Sequence, residues 1–221
     1  MIQHVYERAL QSRYLTSVLI ATDDQEVFAA ARTFGARVRM TRSDHPSGTD
    51  RVAEAASAEP ADLIVNIQGD EPLIDPAAID AAILPLIHDP EIVMGTLKKQ
   101  IQEPREMEDP NVVKVVTDHS GYAIYFSRFP IPYERDREDH GSVPYFKHIG
   151  LYVYRKDFLL RYAALPVGPL ERAERLEQLR ALENGYRIRV VETEYDSFGV
   201  DTPEDLQRVS LWFELSMRGT S

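Results

Sequence analysis

The stretch DLIVNIQ, Asp62 to Gln68, narrows the choice of fold more than any other part of the chain. It is a near-continuous apolar run of strand length, and such a run marks a strand covered on both faces, as in α/β sheets with helices on either side. It stops at Gly69, and PAAIDAAILPLI then reads as a helix, with Asp75 placed to cap it and Pro76 at its first position. The alternation recurs. SVLIAT (17–22) and RVRMT (37–41) read as strands. DDQEVFAAARTFG reads as a helix ending at Gly35, and a further helix is expected from about Thr49. IVMGTLKK, NVVKVVTD, GYAIYFS, YFKHIGLYVYR and RIRVVETE follow as strands. RKDFLLRYAAL, PLERAERLEQLRALENG and DTPEDLQRVSLWFELSM read as helices. With no internal repeat and no linker, 1–221 is expected to form a single α/β domain: a Rossmann-like, mostly parallel mixed sheet with helices on both faces and a smaller antiparallel insertion.

Composition removes several functions. A net charge of −11 argues against a nucleic-acid partner, which selects basic surfaces. No apolar run approaches the roughly 18 residues of a membrane span, and no signal peptide opens the chain. The absence of cysteine excludes disulfides and thiolate metal sites and fits a cytoplasmic setting.

In open α/β sheets ligands bind beyond the carboxyl ends of the strands. There the chain places three acids, Asp70, Glu71 and Asp75, in GDEPLIDP. Asp75 is accounted for as an N-cap, and Glu71 precedes a proline that holds it extended. Asp70 has nothing local to cap. Near the other end, YDSFGVDTPEDL repeats the arrangement: Thr202, Pro203 and Asp205 make an approximate capping box, which leaves Asp201 free. Two spare carboxylates, with water and phosphate completing the shell, are how Mg²⁺ is usually held. Zinc fits poorly, because the six histidines show no paired spacing.

ATDD (21–24), MTRSDHPSGTDR (40–51), VNIQGDEPLI (65–74), NVVKVV (111–116), YFSRFPIP (125–132), HIGLYVY (148–154), PLERAERLEQLR (169–180) and GVDTPEDL (199–206) together resemble the CMP-Kdo synthetase family. Its members are cytidylyltransferases of nucleotide-diphospho-sugar transferase fold that activate 3-deoxy-manno-octulosonate (Kdo) with CTP for lipopolysaccharide synthesis. The resemblance implies Asp70 and Asp201 as catalytic magnesium ligands. It implies Ser47, Gly48, Thr49 and Arg51 on the CTP side, where helix-start N–H groups and a guanidinium meet the nucleotide. Gln68, His148, Tyr152, Glu177 and Gln178 fall on the Kdo side. Read without the resemblance, Ser47–Thr49 is an ordinary helix start, His148 a structural strand histidine, and Glu177 and Gln178 a solvated helix face. The charged loop from Arg128 to His140 is a mobile surface loop or, in the family, a subunit contact, implying a homodimer.

The opening MIQHVYERAL resembles the end of that family's N-terminal signature. In the family a first strand and a basic, glycine-rich IPAR-x-x-STRLPGKP loop precede it. The expectation is a chain lacking this strand and phosphate clamp, with two unshared strand edges, poor solubility and no measurable synthesis by itself. Three alternatives stay open: a related cytidylyl- or glycosyltransferase with another acceptor, a catalytically silent binding or assembly module, and a fragment with no stable fold.

Overall fold

The computed structural model describes residues 1–135, 143–200 and 202–218, the side chains of 214–218 excepted. Along it run α1 (Ile2–Ala9), β1 (Ile20–Thr22), α2 (Gln25–Thr33), β2 (Val38–Met40), α3 (Gly48–Ser57), β3 (Leu63–Asn66), α4 (Pro76–His88), β4 (Met94–Gln100), α5 (Pro104–Glu108), β5 (Lys114–Thr117), β6 (Ala123–Ser127), β7 (Phe146–Arg155), α6 (Lys156–Tyr162), α7 (Pro169–Glu174), α8 (Gln178–Glu183), β8 (Arg189–Glu192) and α9 (Pro203–Arg218). Side-chain caps fix the starts of α2, α3, α4 and α9. Asp24 accepts from the N–H groups of Glu26 and Val27, Ser47 from Asp50, and Asp75 from Ala77 at 2.9 Å. At the other end of the chain, Thr202 and Asp205 exchange their expected bonds at 3.2 Å each way.

The long strand β7 organises the sheet. One edge pairs along its length with β4; the other pairs antiparallel with β3 at residues 152–155 and with β5 at Lys147. β8 adds parallel to β4, and β5–β6 forms the smaller antiparallel hairpin. β3, β4 and β8 therefore run the same way, as expected of a doubly covered sheet. The nearest-neighbour pairings are nonetheless more often antiparallel, because β7 runs against β3, β4 and β5.

Side chains alternate along β7 into two cores. Ile149, Leu151 and Val153 meet Ile79, Ile83 and Leu86 of α4, while Tyr154 faces Phe158, Leu159, Leu179 and Phe126. Helices thus cover both faces.

One expectation needs correction. PLERAERLEQLRALENG is not one helix: Arg175 takes a left-handed conformation (φ 55°) between α7 and α8, and this turn lets both Leu176 and Leu179 enter the core. Leucines at a spacing of three had suggested a continuous stripe. β3 is covered on both faces as expected, with Ile64 packed against the core that holds Phe158 and Leu159 of α6 and Leu63 and Val65 packed against the core of α4. All three are only half-buried, because one edge of the strand is unpaired among the described residues. Among the described residues β3 pairs with β7 alone, and β1 pairs with β2 alone in a separate two-stranded sheet. Between these two segments lies a cleft of about 390 Å³, lined by Val18, Ile20, Val52, Leu63 and Val65 among others.

Candidate functional site

β3, β4 and β8 run the same way, with Gln68 and Asp70 following β3 and His148 and Tyr152 on the neighbouring β7. Beyond β3 comes Asp70. Its carboxylate is half-buried and takes no hydrogen bond or ion pair from any described residue. Glu71 has the opposite fate. It is 7% exposed and accepts hydrogen bonds from Ser197 Oγ at 2.6 Å and the Tyr195 hydroxyl at 3.1 Å. Burial raises its carboxyl above the usual range, the two hydrogen bonds pull it back, and the neighbouring Asp70 charge raises it further.

The segment after β8 is tied down on both sides. Tyr195 and Ser197 face Glu71, and Asp196 between them pairs with Lys147 at 2.8 Å and Lys99 at 3.2 Å. The Val200 N–H then donates to the Asp70 carbonyl at 3.0 Å. So the chain leading to position 201 is fastened to the GDEP turn. Asp201 itself lies outside the described residues. Glu71 is the residue sequence reasoning missed. A glutamate before proline announces no direction, and its partners are more than a hundred positions away.

On the expected nucleotide side, Ser47 is spent locally, capping α3 and donating from Oγ to Asp50 Oδ2 at 2.6 Å. Gly48 and Arg51 line the cleft together with Gln68 and Gly69. The Arg51 guanidinium bonds Asp23 at 2.9 Å and Thr41 Oγ1 at 2.7 Å, holding α3 to the ends of β1 and β2. It also keeps the Asp23 carboxyl below its ordinary range. Thr49 is buried, and its hydroxyl donates to Glu177 Oε2 at 2.6 Å. This one bond joins the segment expected at the nucleotide to the segment expected at the sugar.

The sugar side is denser. Tyr152 sits opposite Asn66 of β3 and Thr96 of β4. Its ring lies 5.3 Å from His148, whose other side meets Phe126 edge-on at 5.1 Å. Burial holds the His148 imidazole down to about 3, so it is neutral at ordinary pH, and pushes the Tyr152 phenol well up. Glu177 stands at the start of α8, and the Tyr162 hydroxyl donates to its carbonyl at 2.6 Å. Gln178 is no solvated helix residue: it is 4% exposed, and its buried Nε2 has no partner among the described residues. Behind it, Arg180 and Glu171 form a buried two-pronged ion pair at 2.5 and 2.7 Å. Gln68 is the exception on this side, being exposed at the rim of the cleft. No group of three or more His, Asp or Glu among the described residues could hold a metal by itself. The loop expected at a subunit contact is described only to Arg135.

A carboxylate without a partner among the described residues, at the carboxyl end of an α/β sheet, fits a nucleotidyltransferase, and comparison with known proteins establishes the class. Residues 1–188 match the cytidylyltransferase family model, and the chain belongs to that family. It is 74% identical over 217 residues to a 3-deoxy-manno-octulosonate cytidylyltransferase of Solibacter usitatus, covering 98% of this chain and 85% of that relative. With the Geobacter sulfurreducens protein of the same name it shares 56% identity, over 95% of this chain and 87% of the relative. Among solved structures, CMP:2-keto-3-deoxy-manno-octonic acid synthetase complexed with CTP superposes with a TM-score of 0.91 at 43% identity, covering 97% of this chain and 88% of that one. A 4-diphosphocytidyl-2C-methyl-D-erythritol synthase from Anaerococcus prevotii, at TM-score 0.60 and 12% identity over 96% of this chain and 89% of that one, shares the fold. No helix among the described residues is long and apolar enough to cross a membrane.

Proposed function

We propose that this protein activates Kdo by transferring CMP from CTP, giving CMP-Kdo and pyrophosphate for lipopolysaccharide synthesis in the cytoplasm. The observation that carries the reading is the Thr49–Glu177 bond, which fastens the nucleotide-side helix start to the sugar-side wall within reach of the β3 carboxyl end. The names of the relatives and the CTP in the solved neighbour support it.

In the reaction, the anomeric hydroxyl of Kdo attacks the α-phosphorus of CTP. A sugar-oxygen-to-phosphorus bond forms, the bond from that phosphorus to the bridging oxygen breaks, pyrophosphate leaves, and the hydroxyl proton is lost to solvent. Little covalent chemistry is asked of the protein, whose work is to hold the two substrates in line. The neutral, aromatic wall of His148 and Tyr152 and the unpartnered Gln178 amide suit the hydroxyl-bearing part of the sugar acid. The start of α3 offers N–H groups to an anion.

Asp70 fits a magnesium ligand: it is an oxygen donor at the strand end with no competing cation among the described residues. Asp70 and Asp201 would hold the ion, which when bound neutralises the phosphate charge. Glu71, through Tyr195 and Ser197, fixes the segment that leads to Asp201. Phe129 and Tyr133, 72% and 85% exposed, supply apolar surface for a homodimer contact beside the charged loop.

The test is pyrophosphate release from a panel of nucleoside triphosphates and acceptor sugars with Mg²⁺. With a family-like strand and IPAR-type loop joined ahead of Met1, turnover is expected with CTP and Kdo together and not with UTP or with neutral hexoses. Faster turnover of another acceptor would refute the assignment.

A further inference from the structure

β4 and β7 lose register between Thr96 and Leu97. Thr96 stands opposite Tyr152 and Leu97 opposite Ile149, so Gly150 and Leu151 have no partner residue on β4. Such a bulge deprives carbonyls of ladder donors. The fully buried Thr96 hydroxyl fills the gap, lying 2.8 Å from the Leu151 carbonyl and 3.1 Å from that of Ile149. The same oxygen lies 2.9 Å from Nε2 of His148. A hydroxyl has one proton to give and two lone pairs to receive with. If Thr96 spent that proton on the imidazole, the Leu151 carbonyl in the bulge, the nearer of the two, would lose this donor. With the proton on a carbonyl, the Thr96 oxygen must accept, and Nε2 of His148 must carry the hydrogen.

We propose that Thr96 is a positioning residue that locks His148 as the neutral Nε2–H tautomer, so that its Nδ1 lone pair is presented to a hydroxyl of the sugar and not to its carboxylate. The ligand half rests on the reading of this wall as the Kdo side. Nδ1 has no partner among the described residues and is not a buried orphan, so it is open to a donor from a ligand. A carboxylate brings only acceptors and would meet a lone pair; a hydroxyl brings the missing proton. Phe126, edge-on at 5.1 Å, and Tyr152, at 5.3 Å, pack against the ring and restrict its rotation.

The side-chain ¹⁵N resonances of His148 test this in the free protein, assigned by their loss in His148→Ala. A protonated Nε2 and an unprotonated Nδ1 are expected. Thr96→Val should give a mixture of tautomers and Thr96→Ser should restore the single form. A wild-type Nδ1–H tautomer or an imidazolium at neutral pH would overturn the lock. Titration with Kdo should then shift Nδ1 while it stays unprotonated. Thr96→Val should weaken Kdo binding about tenfold, the scale of one hydrogen bond, and leave CTP binding unchanged.

A cycle of wild type and His148→Ala against Kdo and its carboxamide separates the two ligand groups. Additive losses place His148 on a hydroxyl. If the His148→Ala loss vanishes with the carboxamide, the ring contacts the carboxylate and the assignment falls. An intact tautomer with no response to Kdo would refute the sugar-side reading, and the ligand half with it, while the Thr96 lock would stand.

Discussion

The two walls of the site are built on different principles. The proposed sugar side, on β4, β7 and α8, is largely buried and mostly neutral, with packed rings and an ion pair, Arg180–Glu171, whose side chains are 7% and 8% exposed. The other wall stands on the two-stranded β1–β2 sheet and α3, and is held by pairs in contact with solvent: Arg51–Asp23 at 21% and 34% exposure, Arg37–Glu59 at 50% and 13%. Buried walls derive their shape from packing and tolerate little change. Solvated ion pairs contribute little energy and can exchange partners. Arg51, paired with Asp23 here, can therefore turn to an incoming phosphate at small cost, whereas His148 is held by packed rings and by its hydrogen bond with Thr96.

The largest effect should come from the buried wall. Glu171→Ala leaves the Arg180 guanidinium without its partner and should cost about 3–5 kcal/mol of stability in urea unfolding. A loss below one kilocalorie would mean the pair is solvated and the contrast false. Next is the carboxylate between the walls. Asp70→Asn keeps the shape and removes the charge, so Mn²⁺ binding followed by electron paramagnetic resonance should weaken well beyond tenfold with the melting temperature unchanged. Asp75→Asn should leave both as they were, because asparagine also caps. Equal damage from the two would remove Asp70 from the metal site.

His148 sharpens the contrast through pH. Unfolded, it takes up a proton near 6.5; folded, it resists to about 3. The contribution is intact above pH 6.5 and lost as pH falls through this window, by at most about 1.4 kcal/mol per pH unit. His148→Gln should flatten the stability profile there, and an unchanged slope would show the ring hydrated. The smallest effect belongs to the solvated wall: Arg37→Ala should cost about 0.2–1 kcal/mol.

What the sequence made legible was local. Caps at Ser47, Asp75 and Thr202 are written in short spacings, and the shared face of His148, Gly150 and Tyr152 follows from a period of two. What it hid was set by distant partners. Glu71 became a clamp because Tyr195 and Ser197 fold over it. Gln178 is buried because Arg175 breaks the helix before it. Thr96 matters because a bulge, invisible in either strand alone, leaves two carbonyls beside it. The half-exposure of β3 depends on which strands share its edges, and an apolar run cannot say that.

The division of labour between the walls is tested most directly by calorimetric titration of CTP and of Kdo, each alone with Mg²⁺, into Arg51→Ala and His148→Ala. Arg51→Ala should weaken CTP binding and leave Kdo as it was; His148→Ala should do the reverse. Both substitutions acting on the same ligand, or neither acting on either, would contradict a site with one wall for the nucleotide and one for the sugar.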